Sequence, residues 1–312
     1  VGAAVVKRLT SRSLPQLLLA GGTLVFSLAV LALLLYREWD RLFEIQWRLD
    51  PRLFAGVLLS YLLALGLASC IWADLMRCFG STLPALTHVE YFCLSQLAKR
   101  LPGTVWYIAG RAYLYKQVGE SPRLVTFASS IELLITILSG ALASLLFAGY
   151  WLSEWTPLPW WAWLFLVSAA LLLLHPRLLR YWVRRFNIGE PAPLHYRRLL
   201  LWVSLYIFNW IIGGFVLYFV GNLVTPLSLS QLPYLVGIWS LVGTLGFVVF
   251  FLPTNLGFFE VGLSLLLATL VPSTLAVIIA IVNRVVLLIT EIVGISVAIL
   301  CIRFARRKSS RE

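Results

Sequence analysis

Apolar runs of about twenty residues, almost free of charge, recur along this chain and leave it few folds to choose from. A bilayer core takes about 20 residues of helix at about 1.5 Å each. Inside it every backbone N–H and C=O must be satisfied within the segment, which a helix does. Composition agrees: of 312 residues, 61% are hydrophobic and only 12% charged, about half the charge that a water-facing domain carries. That deficit argues against a cytosolic enzyme. The expected class is all-α, a polytopic integral membrane protein, with residues 1–312 forming a single transmembrane domain.

Six runs read as full spans: residues 17–36, 53–76, 123–150, 160–174, 199–220 and 273–302. The first exceeds a signal-peptide core and lacks a small-x-small cleavage site, so it is expected to be retained. Two further regions are interrupted. Residues 89–100 and 104–117 are separated at Leu101-Pro102-Gly103, and residues 234–251 and 258–271 at Leu252-Pro253-Thr254-Asn255-Leu256-Gly257. Each broken pair reads as a re-entrant helical hairpin, which a membrane protein tolerates where protein buries it or a wet cavity solvates it. Counting a pair as two crossings instead gives eight spans.

Lys and Arg number 25 against 13 Asp and Glu, a net charge of +12, and their distribution sets an orientation. With six spans and a cytoplasmic N-terminus, twenty of the bases fall on the cytoplasmic side, four outside, and one, Arg284, within a span. Such a bias places both termini in the cytoplasm of a cell membrane, with residues 303–312 as a basic cytoplasmic tail. The bases follow the loops rather than forming a domain, so no nucleic-acid partner is expected. Tryptophans 151, 155, 160, 161 and 163 bracket the outer boundary as an interfacial belt.

The chain also resembles itself. Leu101-Pro102 recurs as Leu252-Pro253, and Pro122 as Pro272. In both copies a broken pair ends at a proline, and a long helix with a deep ionisable residue follows. Repeat 1 covers about residues 53–150 and repeat 2 about 199–302. By the orientation above, one hairpin enters from the cytoplasm and the other from outside, the pattern of an inverted repeat, whose site lies at the midplane where the interrupted segments meet.

An ionisable residue near a span centre costs about 2.5–3.5 kcal/mol on insertion scales and needs a partner or a cavity. Glu132, Glu260, Arg284 and Glu291 are deep in this sense, and Lys99, Arg100 and Arg111 flank the first break. Arg284 and Glu291 are two helical turns apart and face the same way. Bases on interrupted helices suit an anionic head group, through guanidinium forks and free N–H groups. Acids there balance the bases or meet a cationic amine. Ion pairing for structure alone is the competing reading. Cys70, Cys78, Cys93 and Cys301 form no CxxC, and no cofactor, metal or catalytic motif is present in the sequence.

The motifs Leu101-Pro102-Gly103-Thr104, Gly110-Arg111-Ala112 and Glu132, followed by residues 252–260, Asn283-Arg284 and Glu291, resemble the lysylphosphatidylglycerol synthase transmembrane-region family, also described as flippase-like. The resemblance spans about residues 15–305. It implies a polytopic protein that moves, or helps move, a polar lipid between leaflets. It departs where an acid-Arg pair is expected in the first repeat, because Glu132 is followed by Leu133. The chain ends at Glu312, so a stand-alone unit without the synthase domain is expected.

The leading expectation is thus a lipid flippase moving an anionic, aminoacylated or polyprenyl-phosphate-linked lipid through a midplane cavity, without a cofactor and not as an enzyme. Arg111 and Arg284 would grip phosphate, with Lys99 and Arg100 nearby, while Glu132, Glu260 and Glu291 balance charge. Pro102, Gly103, Pro253, Asn255 and Gly257 would make the hairpin breaks. Membrane lipids are the expected partners, and self-association is left open. The alternatives are a membrane scaffold for glycosyltransferases or lipid-modifying enzymes, and an intramembrane lipid-modifying enzyme.

Overall fold

The computed structural model describes residues 47–97, 105–155, 175–185, 195–248 and 258–309, with isolated positions at 36, 161, 164, 165, 168 and 172. Among these residues every element is helical. In chain order the α-helices are α1 (Pro51–Cys78), α2 (Ala85–Leu97), α3 (Val105–Lys116), α4 (Pro122–Trp155), α5 (Pro176–Arg185), α6 (Tyr196–Val224), α7 (Leu232–Val248), α8 (Phe258–Leu267) and α9 (Ser273–Ser309). A 3₁₀ turn, Leu229–Gln231, precedes α7. Within α1, α4, α6 and α9, the segments Pro51–Cys78, Pro122–Ala148, Tyr196–Val224 and Ser273–Ala305 are long and apolar enough to cross a membrane. The expected spans over residues 17–36 and 160–174 lie almost wholly outside the described residues. So do the breaks at Pro102, Gly103, Pro253, Asn255 and Gly257, together with Lys99 and Arg100.

Local chemistry marks the helix ends. Asp50 caps α1 by accepting the backbone N–H of Arg52 at 2.8 Å, with Pro51 in the first turn where its missing N–H is no loss. α1 and α3 end alike. Ser81 N donates to Met76 O and Gly80 N to Arg77 O, and likewise Glu120 N to Tyr115 O and Gly119 N to Lys116 O. Gly80 and Gly119 adopt φ of 94° and 86°, the left-handed conformation this double-bonded helix end requires. The two ends are tied together by the Ser81 hydroxyl, which donates to Glu120.

Helix order repeats: long, short, short, long over α1–α4, and again over α6–α9. α3 and α8 end at Lys116 and Leu267, and α4 and α9 begin at Pro122 and Ser273, each pair 151 residues apart. α1 and α6 begin at Pro51 and Tyr196, 145 apart. Packing repeats as well. α1 packs on α2, α2 on α3, α3 on α4 and α1 on α4; correspondingly α6 packs on α7, α7 on α8, α8 on α9 and α6 on α9. Contacts between the halves pair off too: α4 with α7 matches α9 with α2, and α4 with α6 matches α9 with α1.

α1 and α6 meet directly and run antiparallel. Near one end Arg48 N donates to Leu223 O at 3.0 Å, Val57 packs with Val216 and Val220 farther along, and Asp74 meets Arg198 at the other end. There the Arg198 guanidinium forks onto Asp74 at 3.0 and 2.5 Å, and the Trp202 indole donates to the same carboxylate at 2.9 Å.

Candidate functional site

Where the two halves face one another lies a cavity of about 310 Å³. The face of α1 that lines it carries Tyr61, Ala64, Leu65 and Ala68, at helical spacing, and that of α6 carries Tyr206, Asn209, Trp210 and Gly213. Each member of the second set lies 145 residues after its counterpart in the first. Gln96 of α2 and Phe247 of α7 both line the cavity, as do Thr136 of α4 and Leu287 of α9, and these pairs are 151 apart. Equivalent positions of the two halves therefore surround one space, although their chemistry differs. Asn209 stands opposite Ala64, Gln96 opposite Phe247, and Thr136 opposite Leu287.

Close packing of tryptophan on glycine builds the α4–α6–α7 side. A Cβ on Gly213 would lie 2.0 Å from the Trp239 indole nitrogen, and one on Gly140 or Gly243 would collide with Trp210 at 2.9 or 2.5 Å. The Trp210 indole donates to Thr136 O at 3.3 Å and Ser139 Oγ at 3.2 Å. Both Trp210 and Trp239 face the cavity.

Behind the cavity wall sits Arg111, fully buried on α3. Its Nη1 meets Glu132 of α4 at 2.5 Å, its Nε donates to Ser95 Oγ at 3.1 Å, and its guanidinium carbon lies over the rings of Trp72, Phe92 and Tyr107 at 3.9, 4.8 and 5.4 Å. Those ring faces stand where water would otherwise solvate the cation. The other oxygen of Glu132 accepts from the Tyr206 hydroxyl at 3.0 Å, so both oxygens are held while the residue still reaches the cavity. Trp72 continues the network. Its indole, a donor only, donates to the Tyr115 hydroxyl at 2.9 Å, and the same hydroxyl is hydrogen-bonded to Nδ1 of His88 at 2.6 Å.

In the other half the ion pair is reversed in sign. Glu260, on α8, lies 3.6 Å from Nε of Arg284, on α9. The first half thus places a base on its third helix and an acid on its fourth, the second half an acid on its third and a base on its fourth. Of the residues singled out in the sequence, Glu132 and Glu291 line the cavity, and Arg111, Glu260 and Arg284 do not. Arg111 is expected at a phosphate but is turned onto Glu132, because burial of a lone guanidinium is far costlier than burial of the pair. Tyr61, Gln96, Tyr206, Asn209 and Trp239 are lining residues that sequence reasoning missed. The recurrence of Tyr61 as Tyr206 was the available signal, at an offset different from that of the prolines.

No protein-family model matches the chain, and no curated protein matches its sequence.

Proposed function

We propose that this protein is a lipid translocator built from an inverted repeat, with six full spans and two re-entrant hairpins, α2–α3 and α7–α8, and both termini cytoplasmic. The observation that carries the reading is the cavity lined by matched positions of the two halves. A site on the axis of an inverted repeat is where alternating access to the two sides of a membrane can operate. Support for inversion comes from α1 and α6, which correspond in the two halves and run antiparallel. The six-span orientation brings the Asp74–Arg198 end of this pair to the cytoplasmic side, where the bases gather.

Cavity chemistry favours an amine-bearing head group among the lipids considered. Among the described residues, the Asp, Glu, Lys and Arg side chains lining it are two acids, Glu132 and Glu291, and Tyr61, Tyr107, Tyr206, Trp210 and Trp239 surround them with ring faces. An ammonium is drawn to carboxylates and to aromatic faces alike. A bare phosphate would meet two carboxylates there.

The test is translocation of acyl-labelled lipids in liposomes holding the purified protein. Phosphatidylethanolamine and lysylphosphatidylglycerol should move at least about tenfold faster than phosphatidylglycerol, and Glu291→Gln should remove most of that preference, since one charge-assisted contact is worth about 1.5–3 kcal/mol. If no lipid moves in folded protein, the scaffold reading takes its place.

A further inference from the structure

One buried polar side chain has no role in the contacts described so far. Asn283 of α9 is 1% exposed, and neither its Nδ2 nor its Oδ1 has a hydrogen-bond partner. Buried amides are nearly always bonded, so an unbonded one calls for an explanation. Asn283 lies one turn before Leu287 and two before Glu291, on the stripe of α9 that faces the cavity. The cavity stops short of it.

Position explains the amide. Asn283 and Arg284 stand 151 residues after Glu132 and Leu133, the same interval that relates Thr136 to Leu287 and the starts of α4 and α9. Thr136 and Leu287 both line the cavity. One turn deeper the halves differ, for Glu132 and Leu133 line it while Asn283 and Arg284 do not. From the Thr136–Leu287 pair the cavity therefore runs one turn toward the start of α4, to Glu132, but one turn toward the end of α9, to Glu291. In an inverted repeat, exchanging the conformations of the two halves produces the state that opens to the opposite side. After that exchange the cavity extends toward the start of α9 and closes over Glu132.

We propose that Asn283 and Arg284 form the head-group station of the opposite-facing state and hold the phosphate of the translocated lipid, in succession to Glu132, which receives its amine. A guanidinium with an amide donor beside it suits a phosphate oxygen pair, as a carboxylate suits an ammonium. The cavity thus passes from acid-lined to base-lined as it changes side. An amine held in one state is released in the other. This inference rests on the translocator reading and gives it a second binding position.

Sidedness tests it without any lipid. In a background with Cys70, Cys78, Cys93 and Cys301 replaced by Ala, Leu133→Cys and Asn283→Cys are exposed to a membrane-impermeant maleimide in right-side-out and inside-out vesicles. Each should be labelled at least about tenfold faster from one side, and the sides should be opposite. Arg284→Cys serves as the second reporter if Asn283→Cys does not fold. Labelling of both halves from the same side would overturn the proposal. So would a folded protein in which Leu133→Cys reacts and neither α9 reporter reacts from either side. Soluble head-group fragments test the chemistry: glycerol phosphate should slow labelling at Asn283→Cys and ethanolamine at Leu133→Cys, and the reverse order, or no selectivity, would overturn the phosphate assignment. Opposite sidedness in a protein that moves no lipid would remove the lipid cargo and leave the exchange standing.

Discussion

Arg111 is sealed from water, and what holds it is a carboxylate, a hydroxyl and three aromatic faces. Such a pair contributes little net stability, because the attraction is spent on desolvation, yet removing one partner leaves the other charge bare. Glu132→Ala is therefore expected to destabilise the protein by about 3–5 kcal/mol. Replacing both partners with apolar residues, Arg111→Met with Glu132→Leu, should cost clearly less. Thermal unfolding in detergent, followed by tryptophan fluorescence, compares the two, and a double variant as damaged as the single one would mean the pair is not a unit. At this scale the deep charges were legible, because a charge in an apolar run stands out from the sequence alone. Their pairing was not. Arg111 meets Glu132, and Arg284 meets Glu260, through the packing of a short helix on a long one, which hydropathy does not encode.

Helix starts were legible for the same local reasons that form them: Pro122 opens α4 and Pro272 precedes α9. The correspondence between α1 and α6 was hidden by a change of interval from 145 to 151. The six extra residues are spread over the end of α6, the connection after it and the first turn of α7, so a comparison at one offset aligns the later helices and misses the first. Packing between elements was not legible at all, and the glycines make it testable. In Gly213→Ala the new Cβ meets Trp239 at 2.0 Å and the indole has to move. Because Trp239 forms cavity wall, the substitution should cost about 1–3 kcal/mol by overpacking and should slow lipid movement together with it. Adding Trp239→Leu should recover stability without restoring transport. Recovery of both would show that Trp239 fills space and contributes nothing to the cargo.

For the molecule as a whole, the consequence of most weight in the proposed translocator is that its two halves point in opposite directions. A parallel repeat would show the same order of helices and the same matched packing, but α4 and α9 would then leave the membrane on one side. The antiparallel contact of α1 with α6 argues for inversion, and so do the bases, four of which, Arg303, Arg306, Arg307 and Lys308, gather in the last turns of α9 while none lies in residues 153–159 at and after the end of α4. Both arguments converge on the far ends of the fourth helices. In intact cells a cysteine in place of Ser153, near the end of α4, should react with an impermeant maleimide added outside. One in place of Ser309, at the end of α9, should react only after the membrane is opened. Labelling of both from the same side would make the halves parallel. Exchange of their conformations would then no longer carry the cavity across the membrane, and Asn283 would lose its place in the second state.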